Sequence, residues 1–349
     1  MARIRLQDVA ELAGVSIKTV SNVVNGKGTI TTQTRSKVED ALAQLQYRPN
    51  VAARHLRRGN SGMVAVALPE LTQPYFAELA SELVRAAKRR QLTVLLNQTD
   101  GQAESERAIS DGIDMPLMDG LVLSPLAVTA EDLRHRVDDT PLVLLGEHLG
   151  EETPFPHVAI DNRAAAQTAT EHLVALGRRR IAAIGAKHAG EDDATPAETA
   201  ILRLEGYRRA LDAADLPWRP ELVGPVHDFH RADGAEAMRA LLDLPEPPDA
   251  VFCFNDLLAL GALRALQDRG LTAPDDVAVV GIDDIEEGRY SVPTLTTVAP
   301  DKRALAEAAM DLLLDRDRPP GPAQVVVGHR LVVRESTGVP TGGRDRAQG

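Results

Sequence analysis

Apolar positions fall at helical spacing through the first fifty residues. They then change to short continuous runs that alternate with amphipathic stretches. Leu6, Val9, Ala10 and Ala13 mark one face of a first helix over 6–13. Gly14 follows, a residue that ends helices because positive φ costs it little. Val15 can fill the space beside the turn, and the Ser16 hydroxyl can cap a second helix. That helix, 17–24, buries Val20, Val23 and Val24, and turns Ile17, Lys18, Ser21, Asn22 and Asn25 outward. A third helix starts at Thr31 or Thr32, with Val38, Ala41, Leu42 and Leu45 as its buried stripe. Pro49 then pushes Arg48 out of the helical region. Asn50 can cap a short helix over 51–57 that has almost no apolar face.

From Met63 onward the runs have strand length. Strands are predicted over 63–68, 93–97, 120–123, 142–145, 158–160, 180–184, 222–226, 250–254 and 277–282. Helices predicted between them include 76–90, 163–176, 200–214, 231–242 and 257–269. Regular alternation predicts βαβ units and parallel, doubly wound sheets. These are too many strands for one small sheet, so two α/β lobes are expected. Ligands in such folds sit beyond the C-terminal strand ends, often between lobes.

Charge sharpens the division. Residues 1–60 hold ten Lys or Arg and four acids, a balance of +6; the chain as a whole is −12, so the rest carries −18. A basic head on an acidic body suits a nucleic-acid reader whose body stays off the phosphates. The first two helices, with their tight turn, match a helix-turn-helix in turn, cap and periodicity. The competing reading is an ordinary helical hairpin, which leaves the basic charge without a purpose.

Other classes find less support. Cys253 is the single cysteine, so no intrachain disulfide exists, and its apolar run predicts a buried, inert thiol. The N-terminus is polar and no apolar run approaches membrane-spanning length, so a cytosolic protein is expected. Asp283, Asp284, Glu286 and Glu287 cluster, as do His227 and His230, but neither group has a metal spacing; a solvated acidic turn is the expectation. There is no phosphate-binding Gly-rich loop and no nucleophile elbow. No enzyme and no cofactor are therefore expected. A transport binding protein needs a signal peptide and no basic helix-turn-helix.

The motifs together resemble the lactose-repressor (LacI/GalR) family of bacterial transcription regulators. They are DVAxxAGVSxxTVSxVxN at Asp8–Asn25, YRPNxxAxxL at Tyr47–Leu56, QPYF at Gln73–Phe76, and DN at Asp161–Asn162. RLEGY at Arg203–Tyr207, FND at Phe254–Asp256, VVGIDD at Val279–Asp284 and PTLTTV at Pro293–Val298 complete the order. The resemblance implies a homodimeric repressor with a DNA-binding head, a hinge helix near 50–58 and a core like periplasmic sugar-binding proteins. The fold class is then an all-α helix-turn-helix head (1–60) plus an α/β core (62–340) of two doubly wound lobes. Lobe one is expected over 62–161 and 294–322, lobe two over 162–293 and 323–340, with a disordered tail at 341–349. The absence of a C-terminal heptad pattern argues for a dimer over a tetramer. Three departures from the family stand out. Arg5 replaces the usual capping Thr, Ile17 and Lys18 occupy variable recognition positions, and the acidic loop 186–199 is long and read as solvated surface.

On double-stranded operator DNA, Ile17 can meet a thymine methyl, Lys18 a guanine edge, and Asn22 an adenine edge or a phosphate. Ser16, Thr19, Ser21 and Asn25 suit phosphates. In the hinge the resemblance adds Asn50, Ala53, Arg54 and Leu56, with Leu56 wedged between base steps in the minor groove. In the core it implies effector contacts at Tyr75, Phe76, Glu147, Arg203, Phe229, Asn255 and Asp283. Aromatic faces beside charged groups suit a sugar, the first expectation, or a nucleobase corepressor, the alternative.

Overall fold

The computed structural model describes residues 4–24, 29–47, 61–113, 118–146, 153–187, 198–315, 317–318 and 321–338. The chain divides into two compact units, Met1–Ser61 and Gly62–Gly349.

The first unit holds α1 (Leu6–Ala13), α2 (Ile17–Val24) and α3 (Thr32–Gln44). Val9 and Ala10 from α1, Val20 and Val23 from α2, and Val38 and Ala41 from α3 form its core. Val24 is only half-buried against that core. Gly14 ends α1 at φ 66°, the left-handed position where a Cβ is costly. Arg5 contributes no side-chain cap to α1; its N–H instead donates to the Asp8 carboxylate at 2.7 Å. Thr31 caps α3, its hydroxyl accepting from Thr34 N at 3.3 Å. The hinge expected near 50–58 and the tail at 341–349 fall outside the described residues.

The second unit contains two six-stranded sheets. The first is built from β1 (Met63–Leu68), β2 (Thr93–Gln98), β3 (Leu121–Leu123), β4 (Leu142–Leu145), β5 (His157–Ile160) and β11 (Gln324–Val327). Its order is β11-β5-β4-β3-β1-β2, parallel throughout. The second is built from β6 (Ile181–Ala186), β7 (Val223–Pro225), β8 (Ala250–Cys253), β9 (Ala278–Ile282), β10 (Thr296–Pro300) and β12 (His329–Val332). Its order is β12-β10-β9-β8-β6-β7, with β12 antiparallel to β10.

Both sheets are covered by helices: α4 (Pro74–Arg89), α5 (Ala103–Ser110), α6 (Ala130–Arg134), α7 (Asn162–Ala175), α8 (Glu198–Ala213), α9 (Arg231–Leu242), α10 (Asp256–Asp268), α11 (Glu286–Tyr290) and α12 (Lys302–Leu314). Alternate residues of β1 enter different cores. Val64, Val66 and Leu68 pack on one face, Ala65 and Ala67 on the other. Burial on both faces explains why the strand reads as an unbroken apolar run.

The lobe boundaries differ from expectation at two of the three crossings. The first lies at Asp161, between β5 and α7, as read from the sequence. The second was expected near Pro293, but Thr296–Val298 pairs with Val280–Ile282, so 294–300 stays in the second lobe and the chain crosses at Asp301. The third was expected after Pro322, but Gln324–Val327 pairs with His157–Ile160, so the crossing falls at Gly328. Proline interrupts a local pattern; the hydrogen-bond ladder decides which sheet a segment joins. In addition, β10, β11 and β12 were not predicted as strands. Exposed positions in β11 and β12 dilute their apolar signal.

Candidate functional site

In the first unit, Ser16 occupies the turn before α2. Its hydroxyl accepts from Thr19 N at 3.1 Å and lies 2.8 Å from Thr19 Oγ1. Ser16 and Thr19, both expected at phosphates, are thus already engaged in holding the helix start. Ile17 is 48% exposed, Lys18 is exposed, and Ser21 and Asn22 are half-buried. Lys18 and Asn22 stand four residues apart, so they share one helix face, with Ile17 and Ser21 alongside. That face is turned away from the Val20 and Val23 core contacts. Asn25, Asn50, Ala53, Arg54 and Leu56 lie outside the described residues.

In the second unit, a cleft of about 420 Å³ opens between the lobes at the C-terminal ends of the strands. Each sheet reverses its strand order between two strands, β1/β3 in the first and β6/β8 in the second. A crevice forms where the connections diverge to opposite faces. Residues following all four of these strands line the cleft: Glu70, Ser124, Lys187 and Asn255. The structure also brings Tyr75, Phe76, Arg203, Phe229 and Asp283 to its walls. Glu147, assigned with them from the sequence, falls outside the described residues.

The floor is polar and buried. Arg203 on α8 is 6% exposed; its Nε donates to Asn162 Oδ1 at 2.8 Å and its Nη1 donates to the Phe254 carbonyl. Asn255 caps α10 by accepting from Leu258 N at 2.9 Å, while its amide donates to the Phe229 carbonyl at 3.1 Å. Tyr75 and Phe76 sit in the first turn of α4, where Pro74 fixes the helix start, and their rings meet edge to face at 5.3 Å. The Lys302 ammonium pairs with Glu78 and lies 5.6 Å from the Tyr75 ring centre.

Asp283 follows β9 with φ 121°, a conformation L-residues rarely adopt and one that concentrates at functional sites. Burial pushes its carboxyl up to about 6, against the opposing pull of Arg203 and Lys302. Asp256 behind it is fully buried and pushed well up, first by burial and then by the Asp283 charge. Asp256 accepts from Thr297 Oγ1 at 2.6 Å and from Ile285 N at 3.0 Å. Asp284 is held below the usual carboxylate range because Arg334 and Arg289 bond to it, overcoming burial.

The acidic stretch 283–287 is therefore only partly the solvated turn expected. Glu286 and Glu287 are exposed, but Asp283 and Asp284 are buried, because they follow an interior strand. Among the described residues, no group of three His, Cys, Asp or Glu side chains could hold a metal ion. Cys253 is buried and its thiol is raised by burial and the Asp256 charge.

Several lining residues escaped the sequence reading. Asn162 stood in a quoted motif without an assigned role; its position just after a strand was the available signal. Glu70 and Asp100 also follow strands, β1 and β2, and carried no motif of their own. The segment 186–199 was read as solvated surface, yet both of its described ends reach the cleft, through Lys187 and through Glu198 and Thr199. Residues 188–197 lie outside the description. No helix among the described residues is long and apolar enough to cross a membrane.

Known proteins match both units. The model for the lacI family of bacterial regulatory proteins matches residues 5–50, and that for a periplasmic binding protein-like domain matches 170–337. The ribose operon repressor of Halalkalibacterium halodurans is 33% identical over 334 residues, covering 95% of this chain and 96% of that protein. A complex of the transcriptional regulator CelR with cellobiose is 33% identical with a TM-score of 0.69, covering 96% of this chain and 100% of the other. The crystal structure of the lac repressor dimer bound to operator and the anti-inducer ONPF has a TM-score of 0.81 at 27% identity, covering 96% and 99%. Motif order, a helix-turn-helix unit, a two-lobed core and end-to-end similarity agree: the chain belongs to the LacI family of bacterial regulatory proteins.

Proposed function

We propose that this protein is a cytosolic transcriptional repressor, not an enzyme, that binds a partly palindromic operator as a homodimer. A small-molecule effector, a sugar, sits in the interlobe cleft and sets operator affinity. The cleft carries this reading. A buried guanidinium, two amides and a carboxylate converge beside aromatic rings in this cleft, which opens at the switch points of both sheets. Such groups take and give paired hydrogen bonds, as sugar hydroxyls require, and the rings cover apolar sugar faces. The exposed face of α2 supplies base contacts through Ile17, Lys18 and Asn22, and Ser21 suits a phosphate. Operator affinity falls steeply with salt, because phosphate neutralisation releases counterions.

The effector contacts proposed are Tyr75, Phe76, Arg203, Phe229, Asn255 and Asp283. A change in lobe angle on binding alters how the two heads of the dimer are presented. Ligand and operator then share one coupling free energy of about 1–3 kcal/mol, felt equally by both. The test is to find a stabilising sugar by thermal shift and titrate it with and without operator. Weaker binding on operator identifies an inducer. Identical affinity in the two titrations sinks the coupling.

A further inference from the structure

Four neighbouring strands of the second sheet, β9, β8, β6 and β7, end at the cleft. A polar residue follows each: Asp283, Asn255, Lys187 and His227. Neighbouring strands lie about 4.8 Å apart, so this row is about 14 Å long. The first lobe faces it with a matching row after β4, β3, β1 and β2: Gly146, Ser124, Glu70 and Asp100. A pyranose with its hydroxyls is about 7 Å across, about one and a half strand spacings, so it meets about half of either row.

The two halves differ in character. At one end Asn255 and Asp283, with Asn162 and Arg203, are buried. At the other, Lys187, His227 and Asp100 are exposed and Glu70 is half-buried. The outer half is nonetheless organised. Lys187 Nζ donates to the His227 carbonyl at 2.8 Å, and Gln73 Nε2 donates to Glu70 Oε2 at 3.0 Å.

Charge narrows the class. Five carboxylates line the cleft against the cations Lys187 and Arg203. A phosphorylated sugar would enter a negative field, whereas neutral hydroxyls can donate to those carboxylates. We infer that the effector is a neutral disaccharide, with one unit on the buried floor and the second along Lys187, His227, Glu70 and Asp100. This rests on the effector reading of the cleft given above.

The test is calorimetric titration of the full-length protein with glucose, galactose, mannose and xylose, with cellobiose, maltose, lactose, mannobiose and xylobiose, and with glucose phosphate. At least one disaccharide is expected to bind about tenfold or more tighter than either of its constituent sugars and than glucose phosphate. Lys187→Ala, at an exposed side chain, should weaken that disaccharide several-fold and leave binding of its monosaccharide unit unchanged. A monosaccharide that equals the best disaccharide overturns the inference, as does glucose phosphate binding tightest or Lys187→Ala weakening both sugars alike. If such a monosaccharide also shifts operator affinity, the sugar-effector reading stands without the inference. Binding by no sugar of either length overturns both.

Discussion

Arg203 Nε donates to Asn162 Oδ1 at 2.8 Å, tying the helix that follows β6 to the helix that follows β5. The bond fixes a buried guanidinium at the cleft floor, beside the Asp283 carboxylate whose charge it favours. Removing one member of a buried charged set leaves the others unsatisfied. Arg203→Ala should cost about 3 kcal/mol of core stability and weaken effector binding at least about tenfold. Operator affinity without effector should stay near wild type. Thermal melts and ligand titration read the first two, and a gel-shift titration the third.

Asp283 predicts a pH dependence with a definite sign. Its carboxyl moves from 3.8 up to about 6 on folding, so the folded state holds the proton more tightly than the unfolded chain. Its contribution to stability is full below the ordinary carboxyl value and is lost as pH climbs from about 4 to about 6. Melting temperature should decline across that window in the wild type, and Asp283→Asn should flatten the decline. Sugar hydroxyls donate best to the ionised carboxylate, so effector binding should tighten as pH rises through about 6. Parallel pH profiles of the two proteins would abolish this assignment.

Glu106 organises a wall of the cleft from below. Its fully buried carboxylate accepts from three successive backbone N–H groups, Leu126 at 2.8 Å and Ala127 and Val128 at 2.9 Å. Leu126 lines the cleft. Glu106→Gln swaps an acceptor for a donor that faces other donors, at a cost of about 2–4 kcal/mol. Effector affinity should fall with it, although Glu106 itself is absent from the lining. Differential scanning calorimetry and ligand titration measure the two effects.

Gly261 on α10 and Gly234 on α9 let two helices touch backbone to backbone. A Cβ at Gly261 would overlap the Arg231 carbonyl oxygen, and one at Gly234 the Leu258 carbonyl oxygen. Backbone cannot turn aside as a side chain can. Gly261→Ala should destabilise the second lobe by about 3 kcal/mol, more than its gain in helix propensity of about 1 kcal/mol offsets. A denaturant midpoint equal to wild type would show that the helices separate freely.

On α2, cap and recognition can be separated. Ser16→Ala should destabilise the first unit by about 1 kcal/mol, since Thr19 N loses its acceptor. Lys18→Ala, at an exposed position, should leave stability unchanged and alter base preference at one symmetric position of a selected operator. An unchanged consensus from binding-site selection would remove Lys18 from base readout.

Much of this architecture was written in local pattern. The helix-turn-helix was legible because Gly14, Ser16 and the valine spacing act within a few residues of one another, and the structure keeps them as cap, turn and core. The alternating runs after Met63 revealed two doubly wound lobes, since burial on both sheet faces leaves strands continuously apolar. Other features required the tertiary structure. Sheet membership of 296–300 and 324–327 depends on hydrogen bonds to strands far away in sequence. The burial of Asp283 and Asp284 depends on which strand precedes them and where it sits in its sheet. The polar row across the cleft joins residues 187, 227, 255 and 283, which no local window contains. Propensity and capping act between neighbours and can be read along the chain; register, burial of charge and the shape of a cleft are properties of contacts made at long range.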